Sequence, residues 1–87
     1  RDISLVVPRN ILVGEIEDII SENGGSNLES FNLFDIYEGD QIEAGFKSVA
    51  YSLTFRNKER TLLDTDVNEV MDKILKKLEE KNIKIRS

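Results

Sequence analysis

Gly45-Phe46-Lys47-Ser48-Val49-Ala50-Tyr51-Ser52-Leu53-Thr54-Phe55-Arg56 decides the fold. Its central part alternates strictly, with Val49, Tyr51, Leu53 and Phe55 on one side and Ser48, Ala50, Ser52 and Thr54 on the other. Successive strand side chains point to opposite faces, so this is a strand with one buried face. The buried face is large and apolar. The other face is small where long charged side chains would serve solubility alone, and a strip of small residues lets a flat ligand approach the backbone closely.

The remaining elements follow outward from this strand. Ile3-Ser4-Leu5-Val6-Val7 is a short β-branched run closed by Pro8, with Ile3, Leu5 and Val7 sharing one face and Ser4 and Val6 the other. Leu12, Val13, Ile16, Ile19 and Ile20 repeat at helical spacing over residues 12–22. Asn10 is a candidate N-cap and Asn23-Gly24-Gly25 a helix stop. Leu28–Tyr37 is a second long strand whose alternation places Phe34 and Ile36 on the apolar face and Asp35 and Tyr37 opposite. The alternation falters near Phe31, which points to a bulge. Glu38-Gly39-Asp40 turns the chain back toward the opening strand. Val67, Val70, Met71, Ile74, Leu75 and Leu78 define the strongest helix, over residues 64–81, with Asp64 or Thr65 as its cap. Asn82 ends it, and Ile83-Lys84-Ile85-Arg86 alternates as a last short strand.

The order β-α-β-β-α-β predicts an α+β, ferredoxin-like domain over residues 1–87: a four-stranded antiparallel sheet with two helices on one face. The apolar stripes of the helices should meet Ile3, Leu5, Val7, Phe34, Ile36, Val49, Tyr51, Leu53, Phe55, Ile83 and Ile85. The other sheet face is left open and presents Ser4, Val6, Asp35, Tyr37, Ser48, Ala50, Ser52 and Thr54. An exposed ring, a carboxylate and small hydroxyls on such a face suit single-stranded nucleic acid. The ring stacks a base, and the carboxylate accepts from a base amino or imino group.

Composition narrows the function classes. The 87 residues contain no Cys and no His, which removes a disulfide framework, a thiolate metal site and the commonest general base. With no nucleophile–base pair in evidence, an independent enzyme is the weakest of the readings. No apolar run approaches the roughly 20 residues of a membrane span, and a cytoplasmic setting fits the absence of Cys. The chain opens on Arg1 rather than Met, as expected of one domain of a larger protein. The net charge is −5, but unevenly spread: residues 10–46 hold nine acids and no base, whereas 47–63 hold Lys47, Arg56, Lys58 and Arg60 against Glu59 alone. A nucleic-acid partner would therefore meet a local basic patch. The glycine spacing around Gly45-Phe46-Lys47-Ser48 does not make a phosphate-binding P-loop, since a strand follows where a helix is required.

Three ordered motifs then carry a resemblance: Leu33-Phe34-Asp35-Ile36-Tyr37-Glu38-Gly39, Gly45 through Phe55, and Glu59-Arg60-Thr61-Leu62-Leu63-Asp64. Together with Arg1-Asp2-Ile3 and Ile83-Lys84-Ile85-Arg86, they resemble the ferredoxin-fold anticodon-binding domain at the C-terminal end of the bacterial phenylalanyl-tRNA synthetase β subunit. The resemblance implies a parent (αβ)₂ enzyme whose partners are phenylalanine tRNA, the rest of the β subunit and the α subunit. ATP and Mg²⁺ would act in the α subunit, with no cofactor in this domain. In that family the open sheet face meets the anticodon, and its first base, a guanine, is held by four positions. Their counterparts here are Ser4, Asp35, Tyr37 and Ser48. Lys47, Arg56, Lys58 and Arg60 are expected to attract phosphates. Leu63 stands where many relatives carry a threonine that begins the second helix. The competing expectation is a ferredoxin-like regulatory or protein-interaction domain, whose partner would contact Val6, Leu33 and Tyr37; the isolated domain is expected to be monomeric.

Overall fold

Alternation in the two central strands builds the sheet, and the helices cover one side of it. The computed structural model describes residues 1–86, in the order β1 (Asp2–Pro8), α1 (Val13–Asn23), β2 (Leu28–Tyr37), β3 (Phe46–Phe55), α2 (Asp64–Glu79) and β4 (Lys84–Ile85). Residue 87, the expected domain limit, lies outside the described residues. The sheet order is β2-β3-β1-β4 and every neighbouring pair is antiparallel, which is the ferredoxin-like α+β arrangement. β1 pairs with β3 residue for residue, from Asp2 opposite Ser52 to Pro8 opposite Phe46.

The core is one cluster. Ile3, Leu5, Val7, Val49, Tyr51 and Leu53 from the sheet meet Ile16 and Ile20 of α1, Met71, Ile74 and Leu78 of α2, and Ile83. Each fully buried side chain of this size contributes roughly 1.5–3 kcal/mol of apolar transfer free energy. Phe31 stands edge-on to Tyr51, with ring centroids 6.2 Å apart. The Tyr51 hydroxyl donates to the Glu17 carboxylate of α1 across 3.2 Å, which satisfies the one polar atom of a side chain with no exposed surface. Burial first, and the neighbouring Glu17 charge second, push the phenol well above its ordinary ionisation range.

The edge strands depart from simple alternation. β2 carries register shifts between Leu28 and Ser30 and between Leu33 and Asp35, so Phe34 falls at a bulge. Leu33 therefore sits opposite Tyr51 and packs on the core with Phe31 and Leu28, whereas Phe34 is 57% exposed. Ile36, opposite Val49, and Ile85, opposite Leu5, share the helical side, but both lie on edge strands outside the cluster and are half exposed. Phe34, Ile36 and Ile85 are thus not core residues, contrary to the parity count. The cause is position across the sheet: Val49 and Leu5, the row-mates of Ile36 and Ile85 on the central strands, are fully buried, whereas the outer strands β2 and β4 reach past the cover of the helices.

Both helices begin without the expected caps. The residue before each is a leucine, Leu12 for α1 and Leu63 for α2, which offers no side-chain acceptor. An acid three residues on reaches back instead. Glu15 accepts from the Leu12 N–H at 2.8 Å, and Asp66 accepts from the Leu63 N–H at 2.9 Å. Each is one half of a capping box, so neither Asn10 nor Asp64 nor Thr65 is the cap. Asp66 also takes a 2.8 Å hydrogen bond from Arg60, and that bond, followed by the Leu63 N–H, holds the Asp66 carboxyl below its ordinary value. α1 ends at Gly24, whose backbone is right-handed; the left-handed residue is Gly25, with φ +69°. Gly24 is there for space, since a Cβ would come 2.2 Å from Leu28 Cδ2 and 2.9 Å from the Ile20 carbonyl oxygen. The chain leaves α2 through Asn82 at φ 62°, with the Ile83 N–H bonded to the Leu78 carbonyl and the Asn82 N–H to that of Glu79. That is the Schellman pattern, and it seats Ile83 in the core beside Leu78.

Two outcomes follow at the start of α2. Leu63→Thr supplies the missing cap oxygen and should raise stability by about 1 kcal/mol, a gain of roughly 4–8 °C in thermal midpoint for a domain of this size. A lowered midpoint would contradict the half-box assignment. Asp66→Ala should lower the midpoint at neutral pH. Because the folded carboxyl titrates below its ordinary value of 3.8, its contribution is present above that value and disappears as pH falls through the folded one. The gap between Asp66→Ala and the parent chain should therefore narrow in acid, and a gap that widens there would refute the assignment.

Candidate nucleic-acid interface

Register places the candidate residues in two rows across all four strands. In one row Lys84 lies opposite Val6, Val6 opposite Ser48, and Ser48 opposite Tyr37. In the next, the Arg86 N–H bonds to the Ser4 carbonyl at 2.8 Å, Ser4 lies opposite Ala50, and Ala50 opposite Asp35. Directly opposed residues share a face, so all of these side chains lie on the side away from the helices. Ser4, Asp35, Tyr37 and Ser48, the four expected base-contacting positions, are brought together. Ser4 and Asp35 are two strand spacings apart, about 9.6 Å, with Ala50 as the floor between them.

The floor is recessed. Ser48 is 5% exposed and Ala50 5%, while Tyr37 is 39% exposed and Asp35 is open to solvent. Arg86 reaches over the floor, its guanidinium donating to Ser48 Oγ across 3.4 Å. The face is therefore polarised, with cations Lys84 and Arg86 at the β4 edge and the Asp35 carboxylate at the β2 edge. Among the described residues none of these three is in an ion pair. Such a surface offers donors for phosphate oxygens at one side and an acceptor plus a ring for a base at the other.

The expected phosphate contacts do not join this site. Lys47 lies opposite Val7, on the helical side, and its ammonium donates to the Ile11 carbonyl oxygen at 2.8 Å, tying β3 to the segment that enters α1. Arg60 is bound to Asp66 at 2.8 Å. Arg56 and Lys58 follow the far end of β3, with Arg56 eight residues and about 26 Å from Ser48. There, with Ser26, Asn27, Glu29, Asn57 and Glu59, they line an open cleft of about 700 Å³, and Arg56 stands 4.0 Å from Glu29. Arg86 and Lys84 are the cations that sequence reasoning missed at the site. Their alternation with Ile83 and Ile85 carries the face assignment, but only the strand order puts β4 beside β1.

Among the described residues no cluster of side chains could hold a metal ion, and no helix is long and apolar enough to cross a membrane.

Comparison with known proteins identifies a family. The sequence pattern of the ferredoxin-fold anticodon binding domain matches residues 1–86. The chain is 52% identical over 79 residues to the phenylalanine–tRNA ligase beta subunit of Clostridium acetobutylicum, covering 91% of this chain and 10% of the relative. It is 49% identical over 79 residues to that of Halalkalibacterium halodurans, covering 91% and 10%. With that of Lactobacillus acidophilus it shares 46% over 87 residues, covering 99% and 11%. It thus spans about one tenth of the length of these relatives. The fold, the motifs and the relatives agree: the chain belongs to the ferredoxin-fold anticodon-binding domain family.

Proposed function

We propose that the open sheet face between Tyr37 and Arg86 binds the anticodon of phenylalanine tRNA and so supports charging of that tRNA by a complete phenylalanine–tRNA ligase. The observation that carries this reading is the pair of rows Lys84–Val6–Ser48–Tyr37 and Arg86–Ser4–Ala50–Asp35. They set an aromatic ring and the Asp35 carboxylate across a small-residue floor from two cations, with no ion pair at any of these charges among the described residues. In this arrangement the first anticodon base, a guanine, stacks on Tyr37 and donates its N1–H or N2–H to Asp35. Ser4 and Ser48 close the site from the floor, and Ser48 becomes accessible when the Arg86 side chain turns from its hydroxyl to a phosphate. The far-end cations Arg56 and Lys58 would meet a different part of the tRNA. The rest of the β subunit and an α subunit would complete the enzyme, which would work in the cytoplasm and carry out its ATP- and Mg²⁺-dependent chemistry away from this domain.

A second reading has one observation in its favour. Phe34 and Ile36 are half exposed on edge strand β2, as a protein-docking edge would be. This edge lies beside the base site and leaves the two rows unexplained, so anticodon binding accounts for more of the surface.

Variants of the complete ligase test the proposal. A stacked base is worth roughly 1–3 kcal/mol, so Tyr37→Ala should weaken tRNA binding by about 5- to 150-fold. Asp35→Ala should cut the preference for guanine over other first bases by about 1–3 kcal/mol. Amino-acid activation, measured as ATP–pyrophosphate exchange, should be unchanged in both. Unaltered tRNA kinetics in both variants would sink the assignment.

A further inference from the structure

The turn after β2 contains a glycine that the backbone does not require. The described glycines with positive φ are Gly25 and Gly45; Gly39 is not among them, and an alanine could adopt its conformation. Space is what it supplies. A Cβ on Gly39 would come 2.4 Å from Tyr37 Oη, 2.7 Å from Cζ and 3.2 Å from Cε2. The Tyr37 phenol is thus folded back against the bare Cα of the residue two positions on. The turn beneath it is held by the Ile42 N–H donating to the Gly39 carbonyl at 3.0 Å, and Ile42 is itself buried. The ring therefore rests on a fixed surface, although Tyr37 lies at the end of an edge strand with nothing beyond it in the sheet.

We infer that Gly39 is a positioning residue: its missing side chain lets the turn act as a backstop that holds the Tyr37 ring at the angle from which it stacks on a base. A Cβ at 39 cannot coexist with the ring tip where it now lies, so the ring must move, and a displaced ring no longer meets the base as the stacking role requires. The inference rests on the stacking role proposed above and adds a residue to it that never touches RNA.

A double-mutant cycle separates the two claims. Tyr37→Ala, Gly39→Ala, the double variant and the parent sequence, each in the complete ligase, are titrated with a phenylalanine tRNA transcript at one fixed salt concentration. Gly39→Ala should weaken binding by about 3- to 10-fold, a part of the full stacking contribution. The double variant should bind like Tyr37→Ala alone, because with the ring gone a Cβ at 39 has nothing to displace. The thermal midpoint of Gly39→Ala should be unchanged or slightly raised, since alanine restricts the unfolded chain. Binding by Gly39→Ala equal to that of the parent overturns the inference while leaving the stacking role intact. A loss that persists in the Tyr37→Ala background also overturns it, because glycine then acts through the turn rather than the ring. If Tyr37→Ala itself binds normally, the stacking role fails, and the backstop with it.

Discussion

The pairing of β3 between β1 and β2 is the constraint on which everything else depends. Side chains on a strand alternate with a period of two, so one shift of register would turn Val49, Tyr51 and Leu53 outward and Ser48, Ala50 and Ser52 into the helices. The unbroken β1–β3 ladder prevents this. It fixes in one stroke which residues make the core and which make the floor of the site. The core then holds the ladder in place. Tyr51 is the clearest link, packed against Phe31, buried under α1 and hydrogen-bonded to Glu17. The open face needs no separate scaffold because it is the back of the strands that anchor the helices.

Small residues on that back have a physical purpose. A strand flanked on both sides by others lies lower than its neighbours' longer side chains, and Ser48 and Ala50 make that depression deeper. Tyr37 and Asp35 rise from β2 on one side, Arg86 from beyond β1 on the other. The charge pattern follows the same geometry. The chain is acidic in total, yet the edge formed by β4 is basic, and a polyanion can approach from there without crossing the acid-rich surface of α1.

How much of this was legible follows from the range of each signal. Strict alternation in β1 and β3 is local, and it alone assigns both faces of both strands as the register has them. α1 and α2 were legible from their apolar spacing, and Asn82 from its tolerance of left-handed backbone. The bulge at Phe34 was not located, because it reverses parity without any special residue; Leu33 and Phe34 consequently exchanged roles. The caps were missed because the acceptors lie inside the helices, at Glu15 and Asp66, three residues after leucines. Parity and resemblance put Ser4, Asp35, Tyr37 and Ser48 on one face, and the register keeps them together there. The expected cations do not gather with these four, because closeness in sequence is not closeness in space. Lys47 adjoins Ser48 but points to the other face, Arg56 and Lys58 lie a strand's length away, and Arg86, 38 residues from Ser48, touches it.

The central claim is that RNA is met at one end of one face. Amide resonances of this chain, followed while it is titrated with the anticodon stem-loop of phenylalanine tRNA, report this position by position. The account predicts that the largest shifts fall on Ser4, Asp35, Tyr37, Ser48 and Arg86, and that they shrink when the first anticodon guanine is replaced. Shifts centred instead on Ser26–Glu29 and Arg56–Glu59, or on the outer edge at Phe34 and Ile36, would contradict it.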